Sequence, residues 1–93
     1  MSDTLAQLWA TIEQRKQQRP EGSYTVRLLD TGQNEILKKI GEEAVEVIVA
    51  AANEGDERVV YEMADLLYHA LVLLAVRGQA WADVEAELTR RFG

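Results

Sequence analysis

Five carboxylates interrupt the two most apolar runs of the chain: Glu42, Glu43 and Glu46 within residues 36–52, and Glu62 and Asp65 within residues 59–76. An α-helix turns about 100° per residue, so the first three fall within one arc of about 100° and the other two within one of about 60°. Each run therefore carries an acidic face. Folded as an antiparallel helical hairpin about Gly55, the runs bring Glu43, Glu46, Glu62 and Asp65 to comparable levels, roughly 10–18 Å from the turn at about 1.5 Å per residue. The four can converge on one point. Like charges gathered between apolar helices repel one another and lose solvation, so either they stay protonated or a cation holds them. The donors are all oxygen, with no cysteine and a single histidine in the chain. That set suits a hard divalent ion, Mg²⁺ or Mn²⁺ rather than Zn²⁺. The alternative is that these are solvated faces of surface helices. It fits one isolated E-x-x-E better than two facing pairs in register, because like charges three or four residues apart cost roughly a few tenths of a kcal/mol each.

Other polar residues lie close to this pattern. Lys38 and Lys39 sit one turn before the glutamates. They either bridge to Glu42 and Glu43 along the helix or, beside a divalent ion, help to hold a polyphosphate. Lysine N-terminal to glutamate is the weaker orientation for a bridge. Ser23, Tyr24, Thr25 and Arg27 place hydroxyls, a helix start and a guanidinium within five residues, a candidate anion site. His69 follows Asp65 by four residues, close to the acidic face or within the core. Tyr61 and Tyr68 read as packing residues.

The elements that must position these groups are helical. Ser2 or Asp3 can cap a first helix with Leu5, Leu8, Trp9 and Ile12 on one face, ending before the turn at Pro20. Ser23 caps a short segment over residues 24–31, closed by Gly32. A long helix over residues 33–53 has Ile36, Ile40, Val47, Ile48 and Ala51 as its core stripe. After a turn over residues 53–56, with Asp56 as cap, a second long helix runs to about Arg77 and stops at Gly78. A last helix, residues 80–91, packs through Trp81, Val84 and Leu88. No stretch shows the period-2 alternation of a strand. The expectation is one all-α domain over residues 1–93, two long antiparallel helices with three shorter ones.

The helix after Gly55 is apolar nearly all round, with Val60, Leu67, Leu71 and Leu74 on one side and Leu66, Ala70 and Leu73 on another. In a chain of 93 residues that is 47% hydrophobic, one partner helix cannot cover both sides. A two-fold homodimer with two equivalent metal sites is therefore expected. The net charge of −6 argues against a nucleic-acid-binding surface. The N-terminus lacks the features of a signal peptide, and no uninterrupted apolar stretch reaches the length of a membrane span, so a soluble, cytoplasmic protein is expected.

Ser23-Tyr24-Thr25, Leu28-Leu29 with Gly32, the run from Ile36 through Lys38, Lys39 and Gly41 to Ala44, and Glu62-Met63-Ala64-Asp65-Leu66-Leu67-Tyr68-His69 together resemble the phosphoribosyl-ATP pyrophosphohydrolases of histidine biosynthesis. The carboxylate pattern alone is shared with the wider MazG-like all-α nucleotide pyrophosphohydrolases; the Ser-Tyr-Thr segment, the Lys-Lys-Ile-Gly lead-in and the Tyr-His ending narrow it. The resemblance implies a MazG-like helical bundle completed by homodimerisation and hydrolysis of phosphoribosyl-ATP to phosphoribosyl-AMP and pyrophosphate by water activated at Mg²⁺. It also implies metal ligands at Glu43, Glu46, Glu62 and Asp65, with catalysis at Glu42 and Glu43, Glu42 being either a further ligand or the base. Lys38, Lys39, Arg27, Ser23, Tyr24 and Thr25 are then the expected substrate contacts. The competing functions are a hydrolase of free nucleoside triphosphates and a non-catalytic dimerisation module. Pyrophosphate release from a panel of nucleotides separates all three.

Overall fold

The computed structural model describes residues 3–93 and is all-α. Five α-helices follow one another: α1 (Asp3–Gln18), α2 (Tyr24–Thr31), α3 (Gln33–Val49), α4 (Asp56–Val76) and α5 (Trp81–Phe92). The cap expected at Ser2 or the Asp3 side chain lies outside the described residues. α2 has the expected limits. Ser23 Oγ accepts a hydrogen bond from Val26 N at 3.3 Å, and Gly32, at φ 89°, ends the helix and starts α3.

The end of the first long helix differs from expectation. Residues Ala50–Glu54 form a π-helical turn, closed by a hydrogen bond from Gly55 N to Ala50 O at 3.1 Å. Three successive alanines put no bulky side chain into that widened turn. Gly55, at φ 103° and ψ 174°, then reverses the chain in a conformation that side chains with a Cβ rarely adopt. It is the N-cap of α4; Asp56 is already helical and makes no cap hydrogen bond.

α3 and α4 form the expected antiparallel hairpin, the most extensively packed pair in the molecule. The apolar core sits at the end of α4 away from Gly55, where Leu71, Val72 and Ala75 meet Ile12, Leu28, Leu29 and Ile36. Lys16 Nζ on α1 donates to Ala75 O at 2.7 Å, satisfying a carbonyl near the end of α4. Three members of the expected stripe on α3 do not join this core: Val47 is half-buried outside it, Ile48 is 67% exposed and Ala51 is also exposed. On α4, Val60 is 70% exposed, whereas Leu71 is buried. α4 is long and apolar enough to cross a membrane by length and mean hydropathy, 1.7. Here its C-terminal half is the centre of the core, and its middle carries the acidic residues.

Candidate metal and active site

The hairpin brings the carboxylates together between core and turn. Glu43 from α3 and Glu62 and Asp65 from α4 each offer one oxygen, and the three oxygens lie within 4.8 Å of one another. Glu62 is buried, while Glu43 and Asp65 are partly so. Glu43 Oε2 is enclosed and has no hydrogen-bond partner. Glu46, one turn along α3, lies against both Glu43 and Glu62, close enough to share a proton with either. Burial, then the charges of Glu46 and Asp65, pushes Glu43 above the ordinary carboxylate range, against a smaller opposing pull from His69. Burial and Glu46 raise Glu62 in the same way, opposed by Arg58. An enclosed oxygen without a donor, in an all-oxygen set of crowded acids, fits a hard divalent cation.

Arg58, one turn before Glu62, is the cation the protein itself supplies. Its guanidinium donates to Glu62 Oε2 at 3.3 Å, approaches Glu54 Oε1 at 4.0 Å and lies 4.5 Å from the centre of the Tyr61 ring. Tyr61 is thus a platform at the surface, 57% exposed, and not the packing residue expected. These groups and the acids Glu46, Glu62 and Asp65 line a cavity of about 440 Å³. The π-helical turn contributes Glu54 to its wall.

On the other side, α2 is joined to α4 by two polar pairs. His69, buried at 4% exposure, donates from Nδ1 to the Asp65 carbonyl at 2.8 Å, one turn back along its own helix. In the neutral ring this leaves Nε2 as an acceptor, facing the Tyr24 hydroxyl at 3.3 Å. The Tyr68 and Thr25 hydroxyls form the second pair. Tyr24 and Tyr68 stack with ring centres 6.2 Å apart, and His69 meets both edge-on.

Of the expected site residues, the fold gathers Glu43, Glu62 and Asp65, with Glu46 beside them. Glu42 is not in the cluster; it is exposed, pairs with Lys39 at 3.8 Å, and borders a shallow groove with Gly41 and Val45. Of the two readings of Lys38 and Lys39, the bridges from Lys38 to Glu42 and from Lys39 to Glu43 do not form; Lys39 pairs with Glu42 instead. Lys38 is exposed. Ser23 is engaged as a helix cap, and Arg27 lies over the Tyr24 ring at 5.6 Å. Sequence reasoning missed Arg58, although its spacing of four from both Glu54 and Glu62 was a signal. It also missed the Tyr24–His69 contact, which joins residues 45 apart and leaves no local trace.

An all-α bundle whose two long helices face each other across crowded carboxylates is a MazG-like fold. Within that class, the family profile of phosphoribosyl-ATP pyrophosphohydrolase matches residues 5–92. Proteins named phosphoribosyl-ATP pyrophosphatase are similar along almost the whole chain. The one from Metallosphaera sedula is 53% identical over 98% of this chain and 98% of its own. That from Pelotomaculum thermopropionicum is 54% identical over 96% of this chain and 91% of its own. That from Ignicoccus hospitalis is 48% identical over 98% and 89%. The chain belongs to the phosphoribosyl-ATP pyrophosphohydrolase family.

Proposed function

We propose that this protein hydrolyses phosphoribosyl-ATP to phosphoribosyl-AMP and pyrophosphate, the second step of histidine biosynthesis, with Mg²⁺ as cofactor and Mn²⁺ able to replace it. Within a family of that activity, the observation that carries the proposal is the convergence of Glu43, Glu62 and Asp65 around an unpartnered carboxylate oxygen. These three and Glu46 are the proposed ligands. A divalent ion held there supplies Lewis acidity, both for making water nucleophilic at neutral pH and for neutralising charge on the departing pyrophosphate.

The protein's own groups position what reacts. The His69 bond to the Asp65 carbonyl fixes the imidazole and, through it, Tyr24 at the edge of the site. Arg58 counters the Glu62 charge in the free protein. It lies in the same cavity, where it can turn to a polyphosphate oxygen when one enters. Glu42, outside the cluster, is left as a base acting from the rim, with Lys38 and Lys39 as charges on the approach to the site.

A homodimer in the cytoplasm is part of the proposal. Val59, Val60, Met63, Ala64 and Leu67 line a hollow on α4, with Val60, Met63 and Leu67 well exposed, and a second copy of this helix is the occupant that such a face fits. Sedimentation at micromolar concentration tests it; a stable species of one chain mass would refute it. The activity is tested by magnesium-dependent pyrophosphate release from phosphoribosyl-ATP and a panel of nucleoside triphosphates. Rapid release from phosphoribosyl-ATP alone is expected. Broad release from the triphosphates would overturn the substrate assignment, and no release with no metal uptake would overturn the enzyme.

A further inference from the structure

The substrate proposed above carries two anionic ends, the triphosphate chain and the phosphate of the ribosyl group that ATP lacks. The acidic cluster can serve only one of them, through its cation. The other requires positive charge that belongs to the protein and is not already neutralised.

Such charge is scarce in a chain with 16 acidic and 10 basic residues. Arg19 pairs with Asp30, Arg58 with Glu62, and Arg90 and Arg91 both pair with Glu87. Arg77 donates to the side-chain oxygens of Gln33 and Gln79. Among the described residues, the two arginines with no side-chain acceptor are Arg15 and Arg27, and both stand beside Tyr24. Arg27 lies over its ring. Arg15, half-buried, lines with Tyr24 a cavity of about 600 Å³ between α1 and the turn before α2, a cavity that Arg27 itself does not line. Gln14, Gln18, Ser23 and Thr25 add amide and hydroxyl groups to that wall, and Glu21 is its one carboxylate. The Arg15 charge also reaches the Tyr68 hydroxyl. Tyr24, which lines this cavity, links it to the acidic site: its hydroxyl meets His69, which is bonded to the Asp65 carbonyl.

We infer that this second cavity receives the phosphoribosyl arm of the substrate, with the arm's phosphate on Arg15, Arg27 at the rim, and the ribose against the amides and hydroxyls. Resting on the function proposed above, this makes Arg15 the residue that distinguishes phosphoribosyl-ATP from ATP. A guanidinium offers a phosphate two parallel donors, which a single lysine ammonium cannot reproduce.

Ribose 5-phosphate is the probe. Titrated into the full chain, it should shift amide resonances of residues 14–25 and leave those around Glu43 and Asp65 unmoved. Arg15→Gln should weaken its binding and raise the KM for phosphoribosyl-ATP by about tenfold to a hundredfold, with Arg15→Lys intermediate. The inhibition constant of ATP and the affinity for Mn²⁺ should not move. Gln18→Glu alters an exposed residue and adds a repelling charge to the same wall, so it should weaken ribose 5-phosphate even if Arg15→Gln fails to fold. The inference is overturned if ribose 5-phosphate shifts only the acidic site or nothing. It is equally overturned if Arg15→Gln weakens ATP and phosphoribosyl-ATP by the same factor, or if Gln18→Glu leaves ribose 5-phosphate binding intact. A wild-type protein that binds ribose 5-phosphate here but does not cleave phosphoribosyl-ATP would uphold the cavity and remove the proposed function.

Discussion

Replacing Glu43 by glutamine should make the protein more stable without metal and less stable with it. The side chain keeps its shape and loses its charge, and its new amide donor faces neighbouring carboxylates where Oε2 had no partner. Glu43 is repelled by Glu46, one turn away on the same helix, and by Asp65 across the hairpin. Like-charge pairs at such spacing cost about 0.2–0.5 kcal/mol each where solvent screens them, so removing two of them gains about 0.5–1 kcal/mol. For a domain of this size that raises the melting temperature by about 2–8 °C in EDTA. Metal reverses the order. At a hundred times its dissociation constant, Mn²⁺ stabilises the wild type by about 2.7 kcal/mol, or about 10–20 °C. If the lost ligand weakens binding about a hundredfold, the same concentration gives the variant only about 0.4 kcal/mol. Thermal melts of both proteins by circular dichroism, with EDTA and with saturating Mn²⁺ at pH 7.5, should therefore cross. A variant that melts below the wild type in EDTA, or that gains as much from Mn²⁺, would refute the assignment of Glu43 as a crowded metal ligand.

Three further outcomes are expected. Asp65→Asn and Glu46→Gln should each lower turnover of phosphoribosyl-ATP by about a hundredfold or more while the helical circular dichroism is retained; near-normal turnover in both would remove the carboxylates from catalysis. In EDTA, the raised values of Glu43 and Glu62 mean that their contribution to stability is complete below the ordinary carboxylate value of 4.5 and is lost as pH rises through the folded-state values. The melting temperature should thus rise as pH is lowered from 7 towards 5. Glu87, held below 4.5 first by Arg90 and then by Arg91, has the opposite sign, its contribution being lost only as pH falls through its depressed value. With saturating Mn²⁺ the trend from 7 to 5 should invert, because protons then compete with the ion; the same slope with and without metal would contradict the site. Gly55→Ala meets no atom within 4 Å but must hold φ 103°, so urea unfolding should show a loss of about 1–3 kcal/mol. An unchanged midpoint would mean that the π-helical turn relaxes to absorb the strain.

What the sequence made legible follows the range of the forces involved. α2 was bounded correctly because Ser23 and Gly32 act within three residues of themselves. The acidic site was legible because helical periodicity fixes which carboxylates share a face, and a hairpin about one glycine fixes their level. The π-helical turn was not, because a bond to the fifth residue back and one to the fourth differ by less than any propensity of Ala50, Ala51 and Ala52 can register. Nor was the place of Arg15 beside Tyr24, since α1 and α2 must first pack on α4 before that residue, Tyr24 and His69 share a neighbourhood.

Ile48 and Ala51 are the most informative misplacements. An apolar stripe reports that a face avoids water; it does not report which chain covers it. On α3 the stripe divides, Ile36 entering the core under α1 and α2 while Ile48 stays uncovered near the turn. On α4 the division is the same, with Leu71 and Val72 enclosed and Val60 and Leu67 open. In both helices the covered part lies away from Gly55 and the open part towards it, and the carboxylates fall at the boundary. An interface formed on the open part would therefore close over one side of the acidic cavity while α2 closes the other. Burying the site in this way would raise the repulsion among its crowded acids, tying assembly of the dimer to occupation of the metal site. Metal should accordingly strengthen the dimer in sedimentation experiments. A dissociation constant for the dimer that is the same in EDTA and in Mn²⁺ would show that the two surfaces are energetically separate.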